Sequence, residues 1–258
     1  MTASMPPIPP IPREIPDLPA VPSPPVLVPS PVPATAVVAP IRRPMVAVFR
    51  LLTALAAAAG VALELLLGAP SRILSYFGIQ AAILLAIVML MSASRCWRAR
   101  RPLPSSVTGA TLLYVVISAL VYHLLLARTT PPFSMTGATT VPERWHGSWA
   151  TLQILHTLVP VAAVLDWLLL TPAARLHLRQ AAAWLVYPLA YLAFYLIRAA
   201  VLAPANPARY LYPFLDAATH GYRSTLANAL LLGLAMYALA VLLVALDHAR
   251  PTPVRRRV

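Results

Sequence analysis

The sequence predicts an all-α fold, a polytopic membrane bundle of six transmembrane helices behind a disordered proline-rich N-terminal tail. Three observations predict it. Of 258 residues, 60% are hydrophobic and 10% charged, against roughly 25% charged in an ordinary soluble domain. The apolar residues fall into six runs, each close to the roughly 20 helical residues that cross a hydrocarbon core. Between the runs stand glycine, proline and arginine, the residues of loops.

The first element is residues 1–44, which hold fifteen of the 29 prolines, in runs such as PPIPPIPREIP and VPSPPVLVPSPVP. Proline lacks an N–H and fixes φ, so this stretch reads as extended polyproline II or disorder, a cytoplasmic tether rather than a helix. Its PxxP spacings suit aromatic-lined grooves, but a plain spacer is the simpler reading and no partner is identified. No signal peptide is expected, because no short apolar core with a small-residue cleavage site precedes the first span. Residues 45–248 form the transmembrane domain, with spans at 45–67, 73–94, 105–127, 149–171, 181–203 and 225–246. Residues 249–258 are a basic tail.

The net charge of +13 is carried by arginine alone, since the chain has no lysine. The arginines cluster between apolar runs, which points to topology and anionic membrane lipids rather than to nucleic acid. Thirteen lie on the face that holds the N-terminus and five on the other, namely Arg72, Arg128, Arg144, Arg209 and Arg223. Cytoplasmic loops retain positive charge, so both termini are expected in the cytoplasm. Trp145 and Trp149 fit an outer aromatic belt, Trp97 and Trp184 an inner one. The Ala/Arg/Pro-rich composition suits a GC-rich bacterial genome, hence a bacterial plasma membrane. The single Cys96 supports neither an intramolecular disulfide nor a zinc site.

Charges within the spans should face the bundle interior and find partners. Arg50 and Glu64 are fourteen residues apart on the first span, which at about 100° per residue leaves them within roughly 40° on one face. Asp166 on the fourth span lies at the depth of Arg50, which predicts a structural ion pair. Arg198 on the fifth lies near the level of Glu64, which predicts a second. Trp184, Tyr187, Tyr191, Phe194 and Arg198 share one face of the fifth span, and Thr111, Tyr114, Ser118 and Tyr122 one face of the third. Such faces either pack or enclose a polar-lined cavity. His123, His156 and Gln80 fall in the outer third with Glu64 and Arg198. There His156 is a candidate general base or a hydrogen-bonding strut, and His123, Gln80, Glu64, Arg198 and Tyr191 are candidate substrate contacts. Asp216, His220 and His146 supply too few ligands for a metal, and no cofactor is expected.

From about Arg50 to Asp247 the chain resembles the bacterial Pr-six-Pr membrane proteins, six-span proteins with a proline-rich end. The resemblance rests on YHLLL at Tyr122 to Leu126, LHTLVPVAAVLDWLLL at Leu155 to Leu170, WLVYPLAYLAFYLIR at Trp184 to Arg198 and YPFLD at Tyr212 to Asp216. These proteins are distantly similar to the androgen-induced transmembrane hydrolases of animals. That likeness implies intramembrane hydrolysis of lipid esters by a threonine and a histidine. The histidine maps to His156; the threonine maps to position 78, where this chain has Gly78 in YFGIQAA.

A glycine offers no nucleophile, and three readings stay open. Ser75, one turn away, could substitute, though the offset of about 4.5 Å is large. His156 could activate water with Glu64 or Arg198. Or Gly78 and Ala82 form a small-xxx-small pair that packs closely, and catalysis is absent. The expected function is therefore a membrane protein binding an amphipathic lipid or acyl ester near His156. The rivals are an intramembrane esterase and a small-solute or proton-coupled transporter; against the last, the chain shows no paired broken helices or internal repeat.

Overall fold

The computed structural model describes residues 41–129, 133–137, 147–204, 206 and 209–250. Most of the proline-rich tether, the loop with Trp145 and His146, and the tail from Pro251 lie outside the described residues. The described residues form six helices long and apolar enough to cross a membrane: α1 Pro44–Leu67, α2 Phe77–Trp97, α3 Ser105–Leu126, α4 Trp149–Leu170, α5 Leu178–Val201 and α6 Ala217–Ala249. The chain is an all-α, multi-pass integral membrane protein.

Helix α1 is inverted relative to a soluble one. The buried face of α1 carries Ala47, Arg50, Thr53, Ala54, Ala57, Gly60 and Glu64, while Leu52, Leu55 and Leu66 point outward, Leu66 with 82% of its surface exposed. Small residues let helices approach closely and polar ones bond across the interface, whereas large aliphatic side chains dissolve in lipid at no cost. In water the same surface would be a continuous apolar patch.

The helix starts follow proline and capping chemistry. Pro44 opens α1 at its first turn, where a missing N–H costs nothing. Pro70–Ile73 forms a separate turn, and Tyr76 is extended, so α2 begins at Phe77, later than the apolar run alone indicates. Helix α6 begins at Ala217, ahead of the expected 225, because the Asp216 carboxylate accepts the N–H groups of Ala218 (2.8 Å) and Thr219 (3.2 Å). Gly221, at φ 75°, then breaks α6 before its long apolar run.

Two prolines shape the interior. Pro160 has no N–H for the carbonyl of His156, four residues earlier, and α4 widens to a π turn over Ile154–Leu158. Pro188 likewise frees the carbonyl of Trp184, where α5 is interrupted, and the Tyr114 hydroxyl donates to that oxygen at 2.8 Å. Each freed carbonyl in the bilayer is thus met by a donor from a neighbouring helix.

One end of the bundle is knotted by charge. Arg50 donates to both oxygens of Asp166, at 2.7 and 3.1 Å. Asp247, near the end of α6, accepts the N–H groups of Arg175 (2.7 Å) and Leu176 (2.8 Å) and the indole N–H of Trp167 (3.2 Å), and pairs with Arg250. Arg43, ahead of α1, donates to the Leu170 carbonyl at 3.2 Å. The start of α1 and the end of α6 therefore meet the same end of α4, so both lie on one side of the bundle.

Helix α1 packs chiefly against α2 and α4, and α3 joins α2 and α4. These four are 44% to 50% buried over their apolar windows, against 17% for α5 and 22% for α6. Helix α6 meets α5 through its first turns, Leu178–Ala183, and stands away from Val186–Val201.

Candidate functional site

Where α5 and α6 diverge, a cavity of about 470 Å³ is walled by α2, α3 and α4 on one side and by α5 and α6 on the other. It lies toward the end of the bundle opposite Asp247. Most of the wall is aliphatic, and Leu189, Leu226, Leu230 and Leu234 on α5 and α6 are also exposed on the lipid-facing surface. Polar side chains in the wall include Ser118, His156, Tyr191 and Tyr212.

His156 is fixed on two sides. Its ring stacks on Tyr122, with centroids 4.5 Å apart. Its Nδ1 lies 3.2 Å from the carbonyl of Leu152. A carbonyl only accepts, so Nδ1 carries the proton, and in the neutral ring Nε2 is left with a lone pair. That Nε2 faces Gly78: a Cβ built on Gly78 would stand 3.1 Å from it and 2.6 Å from the hydroxyl oxygen of Ser118. Three helices thus bring a basic nitrogen, a hydroxyl and a bare backbone to one point of the wall.

His123 holds the scaffold rather than the cavity surface. Its Nε2 is 3.2 Å from the carbonyl of His156 and 3.0 Å from Thr157 Oγ1. The Thr157 hydroxyl is donated to Gln153, so His123 supplies the proton for both contacts. The carbonyl orphaned by Pro160 is satisfied this way.

The upper wall is aromatic. Phe77 packs against Tyr114, Tyr187 and Tyr191, with centroids 5.2 to 6.0 Å apart. The faces of α3 and α5 meet below, where Tyr114 and Tyr187 lie 5.1 Å apart, and separate above to open the cavity. Tyr212 accepts the N–H of Phe77 at 3.1 Å. Burial raises the phenols of Tyr76 and Tyr212, in the connecting segments, above the usual tyrosine range, so both stay protonated.

The other candidate residues lie elsewhere. Ser75 donates its hydroxyl to the Ser71 carbonyl at 2.7 Å and is not part of the cavity wall. Gln80 is used twice, donating to the Leu74 carbonyl at 2.9 Å and accepting from Tyr187 at 2.7 Å. Tyr191 lines the cavity but spends its proton on the Ser75 carbonyl at 2.9 Å. Glu64, 1% exposed, takes the hydroxyl of Thr151. Arg198 donates to the Arg209 carbonyl at 3.3 Å. Glu64 and Arg198 do not pair with each other, because α1 packs on α2 and α4 while α5 lies outside them. Asp216 is a helix cap.

Sequence reasoning set Ser118 within a packing face and passed over Tyr212. The signal for Ser118 was its place on the α3 face that includes Tyr122, the ring under His156. No family model matches the chain, and no curated protein or solved structure does either.

Proposed function

We propose that this protein, of the Pr-six-Pr type, takes an amphipathic acyl lipid or ester from the bilayer and holds its polar end beside His156. One observation carries the reading: an apolar cavity of ligand size, between helices that diverge toward lipid, ends on the free nitrogen of a fixed histidine. A tail that leaves the bilayer for this cavity exchanges one apolar surrounding for another, so its affinity rests on packing and on the polar end. His156 Nε2 accepts a hydrogen bond there.

The arginine asymmetry supports a bacterial plasma membrane with both chain ends in the cytoplasm. In that orientation the cavity lies in the outer half of the membrane. Membrane lipids are the partners on this reading, and nucleic acid is not.

The test uses the full-length protein in lipid nanodiscs and a fatty ester with a diazirine on its acyl chain. Crosslinks are expected at Leu189 and Leu230. Gly233 lines the cavity and has nothing within 4 Å of an added Cβ, so Gly233→Phe should fill the space and lower crosslinking about tenfold, a loss of ~1.4 kcal/mol. Crosslinks spread evenly over all six helices, and indifferent to Gly233→Phe, would overturn the reading.

A further inference from the structure

We propose that Ser118 and His156 are a nucleophile and its base for acyl transfer, with the reacting carbonyl seated over Gly78. This rests on the acyl-binding reading above and extends it to covalent chemistry.

The first support is the state of the Ser118 hydroxyl. In membrane helices such hydroxyls ordinarily turn back on a carbonyl of the preceding turn. Thr53, Thr111 and Thr225 do so here, at 3.0, 3.1 and 3.1 Å. Ser118 makes no such bond among the described residues and borders the cavity instead. The second is His156, whose Nδ1–H is committed to Leu152, leaving Nε2 to accept a proton. The third is the space between them. Ser118 Oγ and His156 Nε2 both face the bare backbone of Gly78, 2.6 and 3.1 Å from where a Cβ would stand, so no side chain separates the two. An ester carbonyl lodged against that glycine would meet nucleophile and base together, which is what acyl transfer asks for.

Gly78 is also the second residue of α2. Carbonyl oxygens that gain charge there do so at the positive end of a 21-residue helix.

The step balances without a co-reactant other than water. Ser118 Oγ bonds to the ester carbonyl carbon as its proton passes to His156 Nε2. The tetrahedral oxyanion collapses, the carbon–alkoxy bond breaks, and the leaving alcohol takes the proton from Nε2. Water then gives a proton to Nε2 and its oxygen bonds to the acyl carbon; the bond to Ser118 breaks and the serine regains the proton. The products are a carboxylic acid and an alcohol.

The experiment treats full-length protein in nanodiscs with an alkyl fluorophosphonate, which phosphonylates a base-activated serine and releases fluoride. Peptide mass spectrometry is expected to find the adduct on Ser118. Its rate should fall about 100-fold or more in His156→Ala. It should vanish in Ser118→Ala and drop sharply in Gly78→Ala, whose methyl would press on both Ser118 Oγ and His156 Nε2. Hydrolysis of p-nitrophenyl octanoate should follow the same order. Circular dichroism and gel-filtration profiles matching wild type show that each variant is folded. A wild-type protein that crosslinks the diazirine ester in the cavity yet forms no adduct on Ser118 overturns the proposal and leaves the binding reading standing. A wild-type protein that neither crosslinks nor reacts overturns both.

Discussion

His123 reaches across the α3–α4 interface to the main chain of His156, its Nε2 3.2 Å from the carbonyl oxygen. The contact exists because Pro160 cannot offer that oxygen an N–H. A side chain on one helix thereby holds the π turn that aims a side chain of another.

His123→Ala should leave the carbonyl short of its donor at a cost of about 1–3 kcal/mol. Thermal unfolding in detergent should show the loss, with slower fluorophosphonate labelling of Ser118. His123→Gln, which keeps a donor, should recover part of both; equal melting of all three proteins would count against this role.

Arg50 and Asp166, with side chains 10% and 8% exposed, form a buried ion pair. Asp166→Ala strands the guanidinium and should destabilise by about 3–5 kcal/mol, whereas Arg50→Met combined with Asp166→Leu should restore most of that. Chemical unfolding of the single and double variants in mixed micelles separates the outcomes.

Two glycines in helices should respond oppositely to a methyl group. At Gly109 an added Cβ would collide with the indole of Trp184, whose N–H donates to the Ser106 carbonyl at 2.8 Å. Gly109→Ala should therefore cost about 1–3 kcal/mol. Gly233→Ala meets nothing within 4 Å, so the gain in helix propensity of about 0.5–1 kcal/mol should show as a slightly higher melting temperature.

Topology can be read with a membrane-impermeant maleimide on a Cys96→Ser background. Arg209→Cys should label in spheroplasts and Arg98→Cys only after lysis, if thirteen arginines mark the cytoplasmic face. The reverse pattern would invert the assignment.

The six spans were legible because hydrophobic length is a local property: a run such as AILLAIVMLM announces itself without its neighbours. Helix starts were less so. The cap at Asp216 looks like loop polarity until Ala218 and Thr219 are seen to donate to it, and Ile73 belongs to a turn closed by Pro70 rather than to the helix its apolarity suggests. Position 78 was singled out by a missing hydroxyl. Ser75 was the nearest replacement along the helix, but its hydroxyl is committed to Ser71. The hydroxyl beside Gly78 comes from Ser118 on another helix, and forty residues of separation hide such a neighbour from any pattern along the chain. The cavity was hidden for the same reason, since it depends on α5 and α6 parting beyond Ala183.

Asp247 fastens one end of α6 through the main chain of Arg175 and Leu176 and the side chains of Trp167 and Arg250, while Gly221 interrupts the helix near the other. A rod clamped at one tip is a cantilever. On the acyl-binding reading proposed above, the room beside His156 would be set by the angle of α6 at that clamp, and guests of different girth would be met by its tilt while α1 to α4 keep their packing.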